Sequence, residues 1–177
     1  IEIAKRAGMP LKIAAKVDKV DRDYFEKVIK PMLDPSLVEF IGEIGGKEKE
    51  EFLGKAYALL FPIDWPEPFG LVMIEAMACG APVIAWPHGS VPEIMEDDAG
   101  FVVKSVEEAT RAIERLASFD RRRCREVFER RFTAARMASD YLNIYEGLPE
   151  KGPVDELCSP PFGEIQSWRH SFHEVST

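Results

Sequence analysis

Residues 69–86, FGLVMIEAMACGAPVIAW, hold one charged side chain, Glu75, in an otherwise apolar run. A helix starting near Gly70 puts Leu71, Val72, Ala78 and Cys79 on one face at 3.6-residue spacing, with Glu75 in the middle of it. An unpaired carboxylate buried there costs several kcal/mol, so it requires a partner. The segment itself has no Lys or Arg, which leaves a ligand or a distant cation.

The residues ahead of the run bear on that choice. The stretch 57–61, YALLF, has strand character, and Pro62, Pro66, Pro68 and Gly70 punctuate the loop that follows. Strand, loop and helix then follow in order, with a glycine where the first free helix N–H groups emerge. Such a start attracts anions through unsatisfied donors and aligned peptide dipoles. Gly70 lets a phosphate or sugar approach the backbone closely. Glu67 lies just before this mouth and Glu75 just inside it, so two carboxylates are available to accept from sugar hydroxyls. The same pattern also occurs as plain packing in α/β domains, with Glu67 an ordinary loop acid.

Size and charge narrow the field. A chain of 177 residues that is 46% apolar can build one real core. The run 69–86 is interrupted by Glu75, Gly80 and Pro82, which argues against a bilayer span. A net charge of −8 argues against a nucleic-acid partner. The three cysteines, Cys79, Cys124 and Cys158, lack metal-ligand spacing, and Cys79 reads as a small buried residue. A reducing, cytoplasmic setting is expected. Residues 1–8 read as the last turns of a helix ending at Gly8, so upstream residues are expected to complete the fold.

In chain order, strands are expected at 11–17, 37–41, 57–61, 82–86 and 101–103. Helices are expected at 23–30, 47–55, 70–79 and a turn at 91–95. That alternation predicts an α/β, doubly wound parallel sheet with right-handed crossovers. The loops 18–22, 42–46, 62–69 and 87–90 then gather on one edge, where such sheets bind ligands. The last third is helical. Ser105 and Glu108 form a capping box for a helix whose inner side is Val106, Ala109, Ile113 and Leu116. Asp120 and Thr133 cap two more helices. The first of these carries six arginines, read as a solvated face rather than an anion-binding one. The second has Met137, Tyr141, Ile144 and Tyr145 as a core stripe. Domain limits follow as 1–146, then an irregular tail 147–177 in which Trp168 and Phe172 are placed to dock.

Several motifs carry a family resemblance: Glu67-Pro-Phe-Gly-Leu71, Glu75-Ala-Met-Ala-Cys-Gly80, Pro82-Val-Ile-Ala, Gly89-Ser-Val-Pro-Glu93 and Gly100-Phe-Val-Val. Together these resemble the retaining family-4 (group 1) glycosyltransferases of the GT-B fold, over about residues 11–145. The resemblance implies a Rossmann-like, donor-binding half with a Glu-x7-Glu motif. It implies Glu67 as the catalytic-site glutamate contacting the transferred sugar, and Glu75 as acceptor of the ribose hydroxyls. The Phe69, Gly70, Leu71 and Val72 backbones would line sugar and phosphates, and the loop after Phe40 would meet the base. It implies a UDP- or GDP-sugar donor, no cofactor or metal for the chemistry, and an acceptor domain upstream. Peripheral membrane contact of a full-length enzyme belongs to the same expectation. The family's Gly-Arg…Lys element, which clamps the diphosphate, would precede Ile1. Ala15 stands where a glycine is common, and 95–100 is one residue shorter than the usual pattern.

Two other readings compete. A glycoside hydrolase would use Glu67 and Glu75 as an acid/base pair spaced ~5–9.5 Å across one cleft, and would have no need of the helix start at Gly70. A non-catalytic module would instead pair Glu75 with an internal cation and seal it from the loop edge.

Overall fold

The computed structural model describes residues 1–148. The irregular tail expected from 147 on, with Trp168 and Phe172, and also Cys158, lies almost wholly outside the described residues. The chain divides into two compact units, Ile1–Ala138 and Ser139–Thr177. In the first, α1 (Glu2–Ala7) ends at the left-handed Gly8 and leads to β1 (Leu11–Ala14). An irregular coil follows, 3-10 at Lys19–Asp21, α2 at Arg22–Tyr24, π at Phe25–Ile29 and 3-10 again at Lys30–Met32. The regular helix expected at 23–30 is therefore broken up. Pro31 lacks an N–H to donate and its ring crowds the carbonyl four residues back, so the coil cannot run on as a regular α-helix.

Then come β2 (Val38–Gly42), α3 (Gly46–Lys55), β3 (Leu59–Phe61), α4 (Leu71–Ala78) and β4 (Val83–Ala85). The turn α5 (Val91–Ile94) and β5 (Gly100–Val102) complete the strands. Among the described residues strands pair only in parallel: Leu11 opposite Val38 in one sheet, and Leu59, Val83 and Gly100 side by side in another. The architecture is α/β and doubly wound, but its sheet comes in two pieces, β1-β2 and β3-β4-β5.

β4 shows why the pattern reads as a continuous apolar run. Val83 and Ala85 face a cluster with Met73, Met77, Val91 and Cys124, while Ile84 faces the opposite cluster with Ile3, Ile113 and Leu116. A strand covered on both sides has no polar face to alternate with.

Three helices follow: α6 (Val106–Arg115), α7 (Arg121–Arg131) and α8 (Ala134–Glu146). All three expected caps form. Glu108 N donates to Ser105 Oγ at 3.1 Å, Arg122 N to Asp120 Oδ1 at 3.0 Å, and Arg136 N to Thr133 Oγ1 at 3.2 Å. The return arm of the capping box reaches Lys104 N, at 2.8 Å, instead of Ser105 N. The α8 stripe is not core: Met137, Tyr141, Ile144 and Tyr145 are all exposed. Periodicity shows that a face is apolar, not that anything covers it.

Nor is Cys79 a fully buried residue. It is partly exposed, and Cys124 of α7 is the one in the core, its Sγ 3.9 Å from Ala99 O. Burial pushes the Cys124 thiol up from an ordinary 9.0 to about 11. Above pH 9 an unfolded chain gives up this proton while the folded one keeps it. Stability therefore falls as pH rises from about 9 to about 11, and Cys124 accounts for a loss on the order of 1 kcal/mol at pH 10. Urea denaturation at pH 8 and pH 10 checks this, since Cys124→Ala removes that share of the slope.

Candidate functional site

The loop 62–69 and helix α4 build the site at the carboxyl end of β3. Gly70 is the N-cap, buried, with φ 73° and ψ 49°. This left-handed turn swings the chain from the loop into the helix and costs little only without a Cβ. It also folds Glu67 back over the helix start. Glu67 Oε1 accepts from Gly70 N at 2.9 Å and, more weakly, from Phe69 N at 3.4 Å. A carboxylate at that point is favoured by the unsatisfied N–H groups and by the dipole. The Leu71 and Val72 amides open the helix and have no preceding turn to accept them. Among the described residues no hydrogen bond uses Glu67 Oε2.

The Glu67 backbone is held as firmly as its side chain. Its N–H donates to Trp65 O and its carbonyl accepts from Ser90 N, both at 2.8 Å. Ser90 belongs to the loop after β4, so two neighbouring rim loops are stitched together at Glu67. His88 Nε2 lies 3.3 Å from Asp64 Oδ1 and spans the same two loops. Ser90 Oγ is itself buried and, among the described residues, without a partner, close to Gly70. The sequence carried no signal for this stitch beyond the glycine at 89.

Glu75 requires a correction. The face it shares with Leu71, Val72, Ala78 and Cys79 exists, but it is the outer one. Leu71 is 64% exposed, and the buried side of α4 is Met73, Ile74, Ala76 and Met77. A helix apolar all round gives periodicity nothing to choose between, and the lone carboxylate marks the side toward water. Glu75 is 37% exposed and is paired with Lys49 of α3 at 2.5 Å. It is neither an unpartnered buried acid nor sealed off. Lys49 and Val72 line a hollow of about 500 Å3 that opens among Ala15, Lys16, Glu43, Ile44 and Pro62, at the carboxyl ends of the strands. Lys49 is the site residue that sequence reasoning missed. It closes the first turn of a helix of mixed charge where nothing singles it out.

The arrangement thus brings Glu67, Phe69, Gly70, Leu71 and Val72 to one helix start, with Glu75 one turn further on beside a cation. Phe69 and Leu71 are exposed and present apolar surface at this mouth. Among the described residues there is no group of three His, Cys, Asp or Glu placed to hold a metal ion, and no helix long and apolar enough to cross a membrane.

The sequence and the fold are similar to those of known proteins. An uncharacterised 41.2 kDa protein of the cps region of Klebsiella pneumoniae is 31% identical over 131 residues, covering 70% of this chain and 35% of that protein. A phosphatidyl-myo-inositol mannosyltransferase of Propionibacterium freudenreichii is 38% identical over 65 residues, 37% of this chain and 17% of its own. The chain spans about a third or less of the length of these curated relatives. Among solved structures, AviGT4, a glycosyltransferase involved in avilamycin A biosynthesis, superposes with a TM-score of 0.69 at 27% identity, covering 82% of this chain and 45% of that one. Anabaena Alr3699/HepE, solved with UDP and glucose, shares the fold with a TM-score of 0.69 at 20% identity, covering 83% of this chain and 44% of its own. The family described as "Glycosyl transferases group 1" matches residues 7–129, more than half of the sequence. The chain belongs to the group 1 glycosyl transferases.

Proposed function

We propose that this chain is the donor-binding half of a retaining glycosyltransferase, which moves a sugar from a nucleotide diphosphate to an acceptor held by a separate domain. The observation that carries the reading is Glu67 folded onto the α4 start, with one oxygen held by backbone N–H groups and the other left for a sugar hydroxyl. Relatives named as sugar transferases, and a fold neighbour solved with UDP and glucose, support a nucleotide-sugar donor, which we take to be a UDP- or GDP-sugar.

The chemistry follows from the placement. As the anomeric carbon–oxygen bond to the diphosphate breaks, negative charge builds on the departing phosphate and positive charge on the sugar. The Leu71 and Val72 amides and the helix dipole meet the phosphate. The fixed Glu67 carboxylate orients the sugar and offsets its positive charge. Glu75, aimed by Lys49, accepts from the ribose hydroxyls. The described fragment alone is expected to bind donor weakly and to transfer nothing, because the acceptor site and the upstream diphosphate cations lie elsewhere.

Titration calorimetry of UDP, GDP and ADP into the chain extended upstream tests this. One nucleotide is expected to bind, and Glu75→Gln to weaken it about tenfold or more, the worth of a hydrogen bond to a charged acceptor. No heat with any of the three overturns the reading. Neither rival is favoured: Glu67 is engaged with the helix start, and Glu75 is paired but open to solvent.

A further inference from the structure

Ser90 precedes α5 and does not do there what a serine in that place usually does. A serine ahead of a helix ordinarily caps it, its hydroxyl accepting from an N–H two or three residues on. Here the hydroxyl makes no cap bond, and the backbone at Ser90 is already helical, with φ −74° and ψ −10°. The Glu93 and Ile94 amides donate to the Ser90 carbonyl instead, at 3.0 and 3.1 Å. The hydroxyl is turned inward. Among the described residues, its Oγ is the one buried side-chain nitrogen or oxygen with no hydrogen-bond partner. An unmet hydroxyl in such a place lowers the stability of the free protein, so its presence calls for a reason.

The reason lies across Gly70. A Cβ at Gly70 would stand 3.6 Å from Ser90 Oγ and 3.6 Å from Glu67 Cγ. The two side chains therefore flank one spot, which stays open because residue 70 is a glycine. Met73 also borders it, but with a methyl group. The backbones of the pair are tied at 2.8 Å, Ser90 N to Glu67 O, so neither can drift from the other. Glu67 Oε1 is taken by the Gly70 and Phe69 amides, whereas no hydrogen bond among the described residues uses Oε2. A hydroxyl has a proton to give, and an ionised carboxylate only accepts. One unmet donor and one unmet acceptor thus sit on bonded residues of two loops.

We infer that Ser90 is a positioning residue for Glu67: its hydroxyl donates to Glu67 Oε2 once a sugar is seated over the carboxylate. The inference rests on the donor-site reading above. Glu67 is only partly buried, so water serves Oε2 in the free protein. A seated sugar drives that water off, and a protein donor is then worth more to the carboxylate than before. Ser90 supplies it after a small turn of the carboxylate, and the remaining lone pair of Oε2 meets the sugar hydroxyl. A bond made only in the complex strengthens sugar binding and adds nothing to folding.

The signature is a variant that folds as well or better and binds sugar worse. Ser90→Ala is made in the upstream-extended protein. Loss of an unmet buried hydroxyl is expected to leave the melting temperature unchanged or raise it. Titration calorimetry then compares UDP with UDP-glucose, and GDP with GDP-mannose. Ser90→Ala is expected to weaken the nucleotide sugar about tenfold and to leave the nucleotide alone within about twofold. A lower melting temperature overturns the inference, because the hydroxyl then has a partner in the free protein. So does a variant that binds nucleotide and nucleotide sugar with the same change, or with none in either. If the parent protein binds neither pair, the donor-site reading falls and this inference with it. If it binds a nucleotide and the variant treats the pair alike, the inference falls and the donor-site reading stands.

Discussion

Gly89→Ala is expected to cost about 4 kcal/mol or more and to take the site apart. Gly89 has φ +58°, and a Cβ there would stand 2.3 Å from both the backbone N and O of Glu67 and 2.8 Å from the carbonyl carbon of Pro66. Those are backbone atoms, so no rotamer change relieves the overlap. The loop 62–69 must move away, which breaks the Ser90 N to Glu67 O bond and lifts the Glu67 carboxylate off the α4 start. Gly8 is the control: its φ is +63°, but a Cβ there meets nothing within 4 Å. Gly8→Ala then shows the left-handed strain alone, about 1–2 kcal/mol. Urea denaturation of the two variants gives the difference, and nucleotide titration of the upstream-extended protein shows whether the site goes with it. Gly89→Ala is expected to abolish binding under conditions where it remains folded, and Gly8→Ala to retain it. Equal stability losses, with binding kept in both, would mean that the two rim loops are not coupled through Glu67.

The same two loops show where sequence reasoning stops. Glu67, Gly70 and the strand–loop–helix order were legible because each leaves a local trace: prolines in the loop, a glycine at the turn, an apolar run in the helix. The parallel pairing was legible because β3 and β4 are short apolar strands separated by helix-length connections. Glu75 was placed on the right helix and on the wrong side of it, since α4 is apolar on nearly every face and the burial of Met73 and Met77 depends on what packs above them. Lys49 lies 26 residues before Glu75, and no local rule pairs them. The break of the sheet between β1 and β3 is a matter of which strand neighbours which, a property of the whole topology. The aromatic stripe on α8 erred the other way: its spacing is helical, yet its burial depends on a partner that spacing does not specify.

The arginines of α7 give the second large effect: the solvated face expected of them holds for Arg122 but not for Arg121 and Arg131. Arg121 donates to Ala56 O at 2.6 Å and to Gly54 O at 3.3 Å, at the end of α3. Arg125 donates to Ala78 O at 2.6 Å, at the end of α4. Arg131 donates to Glu93 O at 2.6 Å and Ile94 O at 3.0 Å, at the end of α5, and pairs with Glu96 at 2.9 Å. One helix thus supplies cations to the carbonyl ends of three others, where the dipoles are negative and the last carbonyls lack intrahelical donors. Arg131 is the best placed, with a side chain 28% exposed and three acceptors on one guanidinium. Arg131→Ala is expected to cost about 2–3 kcal/mol, because it removes three hydrogen bonds made by one charged, partly buried group. For a chain of this length that lowers the melting temperature by about 5–10 °C. Arg131→Lys should recover less than half, since an ammonium is a point charge and cannot span the fork of acceptors. Arg122, whose side chain is 89% exposed, is the reference for a truly solvated position. Arg122→Ala is expected to change stability by no more than about 0.5 kcal/mol. Thermal melts of the three variants decide the matter: if Arg131→Ala melts with Arg122→Ala, the arginines of α7 are surface charge and α5 holds its place without them.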